Sequence, residues 1–139
     1  MRSDFNKTLR VLIVENSEVD QKMLLGMLSH GPYGNFDAKI ASSLKQTFSL
    51  LSEERFDVVL LDLNIDDCDG IETLKRVHKK FPEVAIVVNT GAFQDDLGLK
   101  SVTMGAQDYL IKGMYKAYGL VKALYYAIER KRAELELQT

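Results

Sequence analysis

Four largely apolar runs in this chain each stop at a residue that can do chemistry. Val58-Val59-Leu60-Leu61 stops at Asp62, and Arg10-Val11-Leu12-Ile13-Val14 stops at Glu15-Asn16. Ala85-Ile86-Val87-Val88 runs on through Asn89 to Thr90, and Asp108-Tyr109-Leu110-Ile111 ends at Lys112. A carboxylate can act as a nucleophile and form an acyl phosphate. A hard cation such as Mg²⁺ takes oxygen ligands and keeps several waters. Its charge, with that of Lys112, offsets the charge on a transferring phosphoryl group. Thr90 can hydrogen-bond a phosphoryl oxygen, and Gly91, lacking a side chain, leaves room for the group. If the four runs are parallel strands, their exits share one edge of a sheet, where ligands and chemistry collect in open α/β folds.

The rest of the chain supplies the elements to hold them there. Short apolar runs bounded by polar residues read as strands buried on both faces, here Arg10–Val14 and Phe56–Asp62 with Phe36–Ala41 as a weaker one. Ser17 with Asp20, Ser43 with Gln46, and Asp69 with Glu72 read as capping boxes that open three helices. The first carries Met23, Leu24, Met27 and Leu28, and stops at the His30-Gly31-Pro32-Tyr33-Gly34-Asn35 loop. The second carries Leu44, Phe48 and Leu51. The third carries Ile71, Leu74 and Val77, and ends before Pro82. Gly91-Ala92 makes a small-residue turn. A shorter helix covers about Asp95 to Met104 and stops at Gly105, and a final helix runs from about Tyr115, with Leu120, Leu124 and Ile128 on its inner face. Five strands alternating with five helices predict an α/β fold with a parallel, doubly wound sheet and right-handed crossovers.

Composition bounds the function. The chain has 139 residues, 46% hydrophobic and 27% charged, a balance suited to one soluble domain. A formal net charge of -2 gives no footprint for nucleic acid or an anionic membrane. The single cysteine, Cys68, precludes an internal disulfide and reads as an inert thiol in a reducing compartment. Met1 to Lys7 lacks an apolar signal core, and no run approaches the roughly 20 apolar residues of a membrane span. The expected setting is the cytoplasm. Asp66, Asp67 and Asp69 lack the distal Glu of a calcium loop and read as loop solvation plus a cap. His30 and His78 read as surface residues.

In four places, in order, the chain resembles the receiver domains of bacterial two-component response regulators: Val11–Asn16; Val59–Ile65 with Asp69-Gly70; Val87–Gly91; and Gly105–Lys112. The resemblance spans residues 9 to about 129. It implies the flavodoxin-like strand order 2-1-3-4-5. It also implies that Asp62 takes a phosphoryl group from a sensor histidine kinase or phosphotransfer protein, with Glu15, Asn16, Asp62 and the main-chain carbonyl of Asn64 around Mg²⁺. Thr90 and Lys112 would contact the phosphoryl oxygens. Thr90 and Tyr109 would move inward together and change the surface of the last helices and strand. The chain departs from the family at four positions. Asn16 replaces the second acid after strand 1, so Mg²⁺ binding should be weaker. Asp66 stands where Pro is usual. Asn89 is polar in a buried strand and must find a partner. Gly113 replaces the Pro after Lys112 and frees that loop.

Each residue also has a plain structural reading. Asp62 would serve a turn, Glu15 and Asn16 a helix cap, Thr90 and Tyr109 a packed strand, and Lys112 a solvated surface. Their joint placement at strand exits favours the functional one. The expected organisation is an N-terminal extension over 1–8, a receiver domain over 9–129 and a helical extension or linker over 130–139. The last segment would be a frayed helix end, a connector to a C-terminal output domain or a homodimer contact. The rival functions are a pseudo-receiver acting through protein contact without phosphorylation, an aspartate phosphohydrolase, and a flavin-binding domain. Asn64 stands where the phosphohydrolase needs a general acid, and the turn after strand 1 has the wrong charge for a flavin phosphate.

Overall fold

The computed structural model describes residues 8–29, 35–91 and 95–138. The expectations for Met1–Lys7, for the loop residues His30 to Gly34, for Ala92 and for Thr139 lie outside these residues. Five strands and five helices alternate among the described residues: β1 Thr8–Val14, α1 Glu18–Ser29, β2 Asn35–Ala41, α2 Leu44–Glu53, β3 Val58–Leu61, α3 Ile71–Lys80, β4 Ala85–Thr90, α4 Asp95–Thr103, β5 Asp108–Ile111 and α5 Ala117–Gln138. The strands pair in parallel in the order β2-β1-β3-β4-β5. No described helix is long and apolar enough to cross a membrane.

Burial explains why the central strands are largely apolar, with Asn89 and Thr90 as the buried polar end of β4. Alternate residues of β1 face opposite cores. Val11 and Ile13 pack with Leu24 and Leu28 of α1 and with Leu120, Leu124 and Ile128 of α5. Leu12 and Val14 pack on the other face with Leu44 of α2 and with Leu74 and Val77 of α3. All four residues of β3 and all six of β4 are buried. Polar residues begin where β1 and β3 leave the sheet and in the last two positions of β4.

The helix starts differ in detail from the capping boxes read in the sequence. Ser17 Oγ accepts from Asp20 N (3.3 Å), but Ser17 N donates to Glu15 Oε2 (3.0 Å), so Asp20 is spared that role. Ser43 Oγ accepts from Gln46 N (3.0 Å), while Gln46 Oε1 turns to Ser42 N (2.7 Å). The cap expected from Asp69 is replaced by Gly70, at φ 68°, with no side-chain cap bond. The Gly70 N–H goes instead to Asn64 Oδ1 (3.1 Å), tying the start of α3 to the loop after β3.

Helix α5 begins at Ala117, not Tyr115, and passes without a break through residue 130. The turn at Arg130 and Lys131 is docked, whereas Leu137 near the end is 88% exposed. Lys131 is 5% exposed and donates to the Pro82 carbonyl (3.1 Å), and Arg130 donates to the Gln107 carbonyl (2.7 Å). His78 is not a surface residue. It is half-buried, its Nδ1 has no hydrogen-bond partner, and its ring occupies the space a side chain on Gly105 would need. Burial and the Lys131 charge hold its pKa below the ordinary value.

Candidate functional site

Backbone register sets the site. Val14 of β1 pairs with Leu61 of β3, and Leu61 with Val88 of β4, so these chains reach the carboxyl edge together. Main-chain bonds carry the alignment beyond the strands: Asp62 N to Val14 O (2.9 Å), Glu15 N to Ala41 O (2.8 Å) and Lys112 N to Thr90 O (2.7 Å). Glu15, Asp62 and Lys112 therefore emerge side by side although 97 residues separate the outer two in sequence (112 − 15).

Lys112 is where the charges meet. Its Nζ lies 2.8 Å from Asp62 Oδ2, 2.9 Å from Glu15 Oε1 and 3.2 Å from Asp20 Oδ2. The first and third contacts are hydrogen bonds. Glu15 Oε1 is an ion-pair partner lacking hydrogen-bond geometry, and it is buried in a residue only 1% exposed. Burial raises the pKa of Glu15, aided by the Asp62 charge and opposed by Lys112 and the Ser17 amide. Burial lowers that of Lys112, but its contacts with Asp62 and Glu15 outweigh this and raise it overall. The ammonium is fixed as a cation. Asp20 was not singled out in the sequence as a site residue. It lies 92 positions from Lys112, too far apart in sequence for spacing to suggest the contact.

The other expected residues divide. Asn64 N donates to Asp62 Oδ1 (3.0 Å), which orients the carboxylate. Thr90 is 1% exposed, and its hydroxyl faces the Leu110 carbonyl at 3.4 Å. Asn16 is exposed and donates from Nδ2 to Asp66 Oδ1 (3.2 Å). Asn89, the buried polar residue of β4, accepts from the Tyr115 hydroxyl (3.0 Å). The half-buried Tyr109 packs its ring against Gly98 of α4, in space that a side chain at 98 would fill.

The donor set suits a hard divalent cation in its chemistry. With Glu15, Asp20 and Asp62 ionised against Lys112, three negative charges and one positive leave −2. The described residues contain no group of three or more His, Cys, Asp or Glu already arranged around a metal position, since the carboxylates converge on the ammonium.

Comparison with known proteins agrees with this architecture. The family described as the response regulator receiver domain matches residues 11–124. The transcriptional regulatory protein PmrA of Pectobacterium parmentieri is 31% identical over 104 residues, which cover 75% of this chain and 46% of that protein. The transcriptional regulatory protein ZraR of Escherichia coli K12 is 28% identical over 101 residues, covering 73% of this chain and 22% of that one. The chain thus spans less than half the length of either. Among solved structures, the signal receiver domain of an HD domain-containing protein from Pseudomonas fluorescens Pf-5 superposes with a TM-score of 0.76 at 26% identity, covering 91% of this chain and 99% of that one.

Proposed function

The chain belongs to the family of response regulator receiver domains, matched over residues 11–124, and on that premise we propose that Asp62 is a phosphoryl acceptor whose modification switches a partner surface. What carries the reading is the 2.8 Å contact between Lys112 Nζ and Asp62 Oδ2, with Glu15 beside them. The donor would be a phosphohistidine on a sensor kinase or phosphotransfer protein. A carboxylate oxygen of Asp62 forms the new bond to phosphorus, the P–N bond breaks, and its electron pair leaves with the imidazole. Lys112 releases part of its hold on Asp62 and offsets the charge on the phosphoryl oxygens. The Thr90 hydroxyl turns from the Leu110 carbonyl to one of those oxygens. Tyr109 then shifts with it and alters the surface of α4, β5 and α5. Mg²⁺, held by Glu15, Asp62, the Asn16 amide and the main-chain carbonyl of Asn64, would add charge stabilisation to this transfer.

The domain acts on itself, assisting its own phosphorylation and dephosphorylation, rather than on an external substrate. PmrA and ZraR carry the name of transcriptional regulatory proteins and are longer than this chain. By analogy, α5 leads towards an output domain, and the setting is the cytoplasm. The test is incubation with phosphoramidate and Mg²⁺, read by intact mass. One phosphoryl group should add to the wild-type chain, and none after chelation or in Asp62→Asn. An unmodified wild-type chain that Asn16→Asp renders competent would instead support a pseudo-receiver.

A further inference from the structure

We propose that Asp66 is a positioning residue for the cation, fixing which end of the Asn16 amide is offered to it. The inference rests on the metal site proposed above. An amide has a donating end and an accepting end, and a hard cation takes only the oxygen. An ionised carboxylate only accepts. Asp66 Oδ1 receives the bond from Asn16 Nδ2 at 3.2 Å, so facing Asp66 the amide presents NH₂ and its Oδ1 is the end left over. Without an acceptor at 66 the amide could turn either way, and one of those ways aims hydrogens at the cation.

The carboxylate that does this sits on a fixed loop. Asp66 N donates to the Ser42 carbonyl (3.2 Å) and Ile65 N to the Cys68 carbonyl (2.9 Å), with Ile65 buried at 7% exposure. The need for a cation has its own sign. Glu15, the neighbour of Asn16 in the chain, is 1% exposed, and it shares the single Lys112 ammonium with Asp62 and Asp20. Asp66 thus fixes an oxygen at the position where the chain has an amide instead of an acid, and adds a nearby negative charge.

The experiment is Mn²⁺ binding to the full chain by electron paramagnetic resonance, with Mg²⁺ as competitor and no phosphodonor present. Partners that orient metal ligands typically matter by 10- to 100-fold, and this exposed bond should matter less, so Asp66→Ala should weaken binding about threefold to tenfold. Asp66→Asn keeps an acceptor and should lose less. In an Asn16→Asp background, Asp66→Ala should cost clearly less than in the wild-type chain, because a carboxylate has no wrong end and only the charge of Asp66 is lost. Wild-type affinity in Asp66→Ala, or an equal loss in both backgrounds, would overturn the positioning role while leaving the metal site standing. Absence of competitive binding by the wild-type chain would overturn the metal site and this inference together.

Discussion

Substituting Gly98 by Ala tests how firmly Tyr109 is held in its packing against α4. A Cβ on Gly98 would lie 2.4 Å from Tyr109 Cδ2 and 2.9 Å from both Cε2 and Cγ. Carbon atoms in good contact stand about 3.5–4.0 Å apart. Because Cγ is among the atoms struck, the ring cannot escape by bending its tip and must rotate about χ1. Overpacking of this kind costs about 1–3 kcal/mol. Replacing Gly by Ala inside a helix returns about 1 kcal/mol. The net expectation for Gly98→Ala is a loss of about 1 kcal/mol. In a Tyr109→Ala background the clash is gone, so the same substitution should stabilise by about 1 kcal/mol. The chain contains no Trp, so urea unfolding followed by far-ultraviolet circular dichroism is the suitable assay. Stabilisation by Gly98→Ala of equal size in both backgrounds would refute the reasoning, since Tyr109 would then leave its position without cost.

Lys112→Ala should lower stability at pH 7 by about 2 kcal/mol, because removing one partner strands the buried charges of the others. The loss should shrink as pH falls through the folded pKa of Glu15, which is raised above 4.5, because a neutral Glu15 no longer needs the ammonium, and urea titrations across that range check it. Glu15→Gln should raise stability at neutral pH. The folded pKa of Glu15 is raised above 4.5, so its ionisation weakens the fold as pH rises through the folded value. The gain should be small at pH 4 and larger at pH 7, and Mg²⁺ should stabilise the wild-type chain more than the variant in thermal melts. Tyr115→Phe removes the partner of buried Asn89 and should cost about 1–2 kcal/mol, whereas the same change in an Asn89→Leu background should cost less in equilibrium unfolding.

The sheet was legible because burial on both faces forces apolar runs, and Asp62, Glu15, Thr90 and Lys112 were legible as the residues at which those runs stop. The strand order came from family resemblance, since parallel crossovers of similar length permit more than one order. What stayed hidden is carried by contacts between distant segments. Asp20 reads as a helix-cap residue, yet Glu15 takes over the bond to Ser17 N and leaves it for Lys112. Asp69 has the better intrinsic propensity to cap α3, but the left-handed backbone at Gly70 and its bond to Asn64 decide the start. Asn89 announced a need for a partner without naming it, and Tyr115 lies 26 residues away. The charged end of α5 read as a frayed end, a connector or a dimer contact, because the burial of Lys131 is invisible to a count of charges.

The proposed function turns on which atom carries the phosphoryl group. Borohydride reduces an acyl phosphate to an alcohol and so converts a phosphorylated aspartate to homoserine, a permanent mark that peptide mass spectrometry can place. After treatment with phosphoramidate and Mg²⁺, the mark should appear at residue 62 alone and vanish when Lys112 is replaced. A mark at another carboxylate, or none in a chain that has gained phosphoryl mass, would contradict the assignment of Asp62.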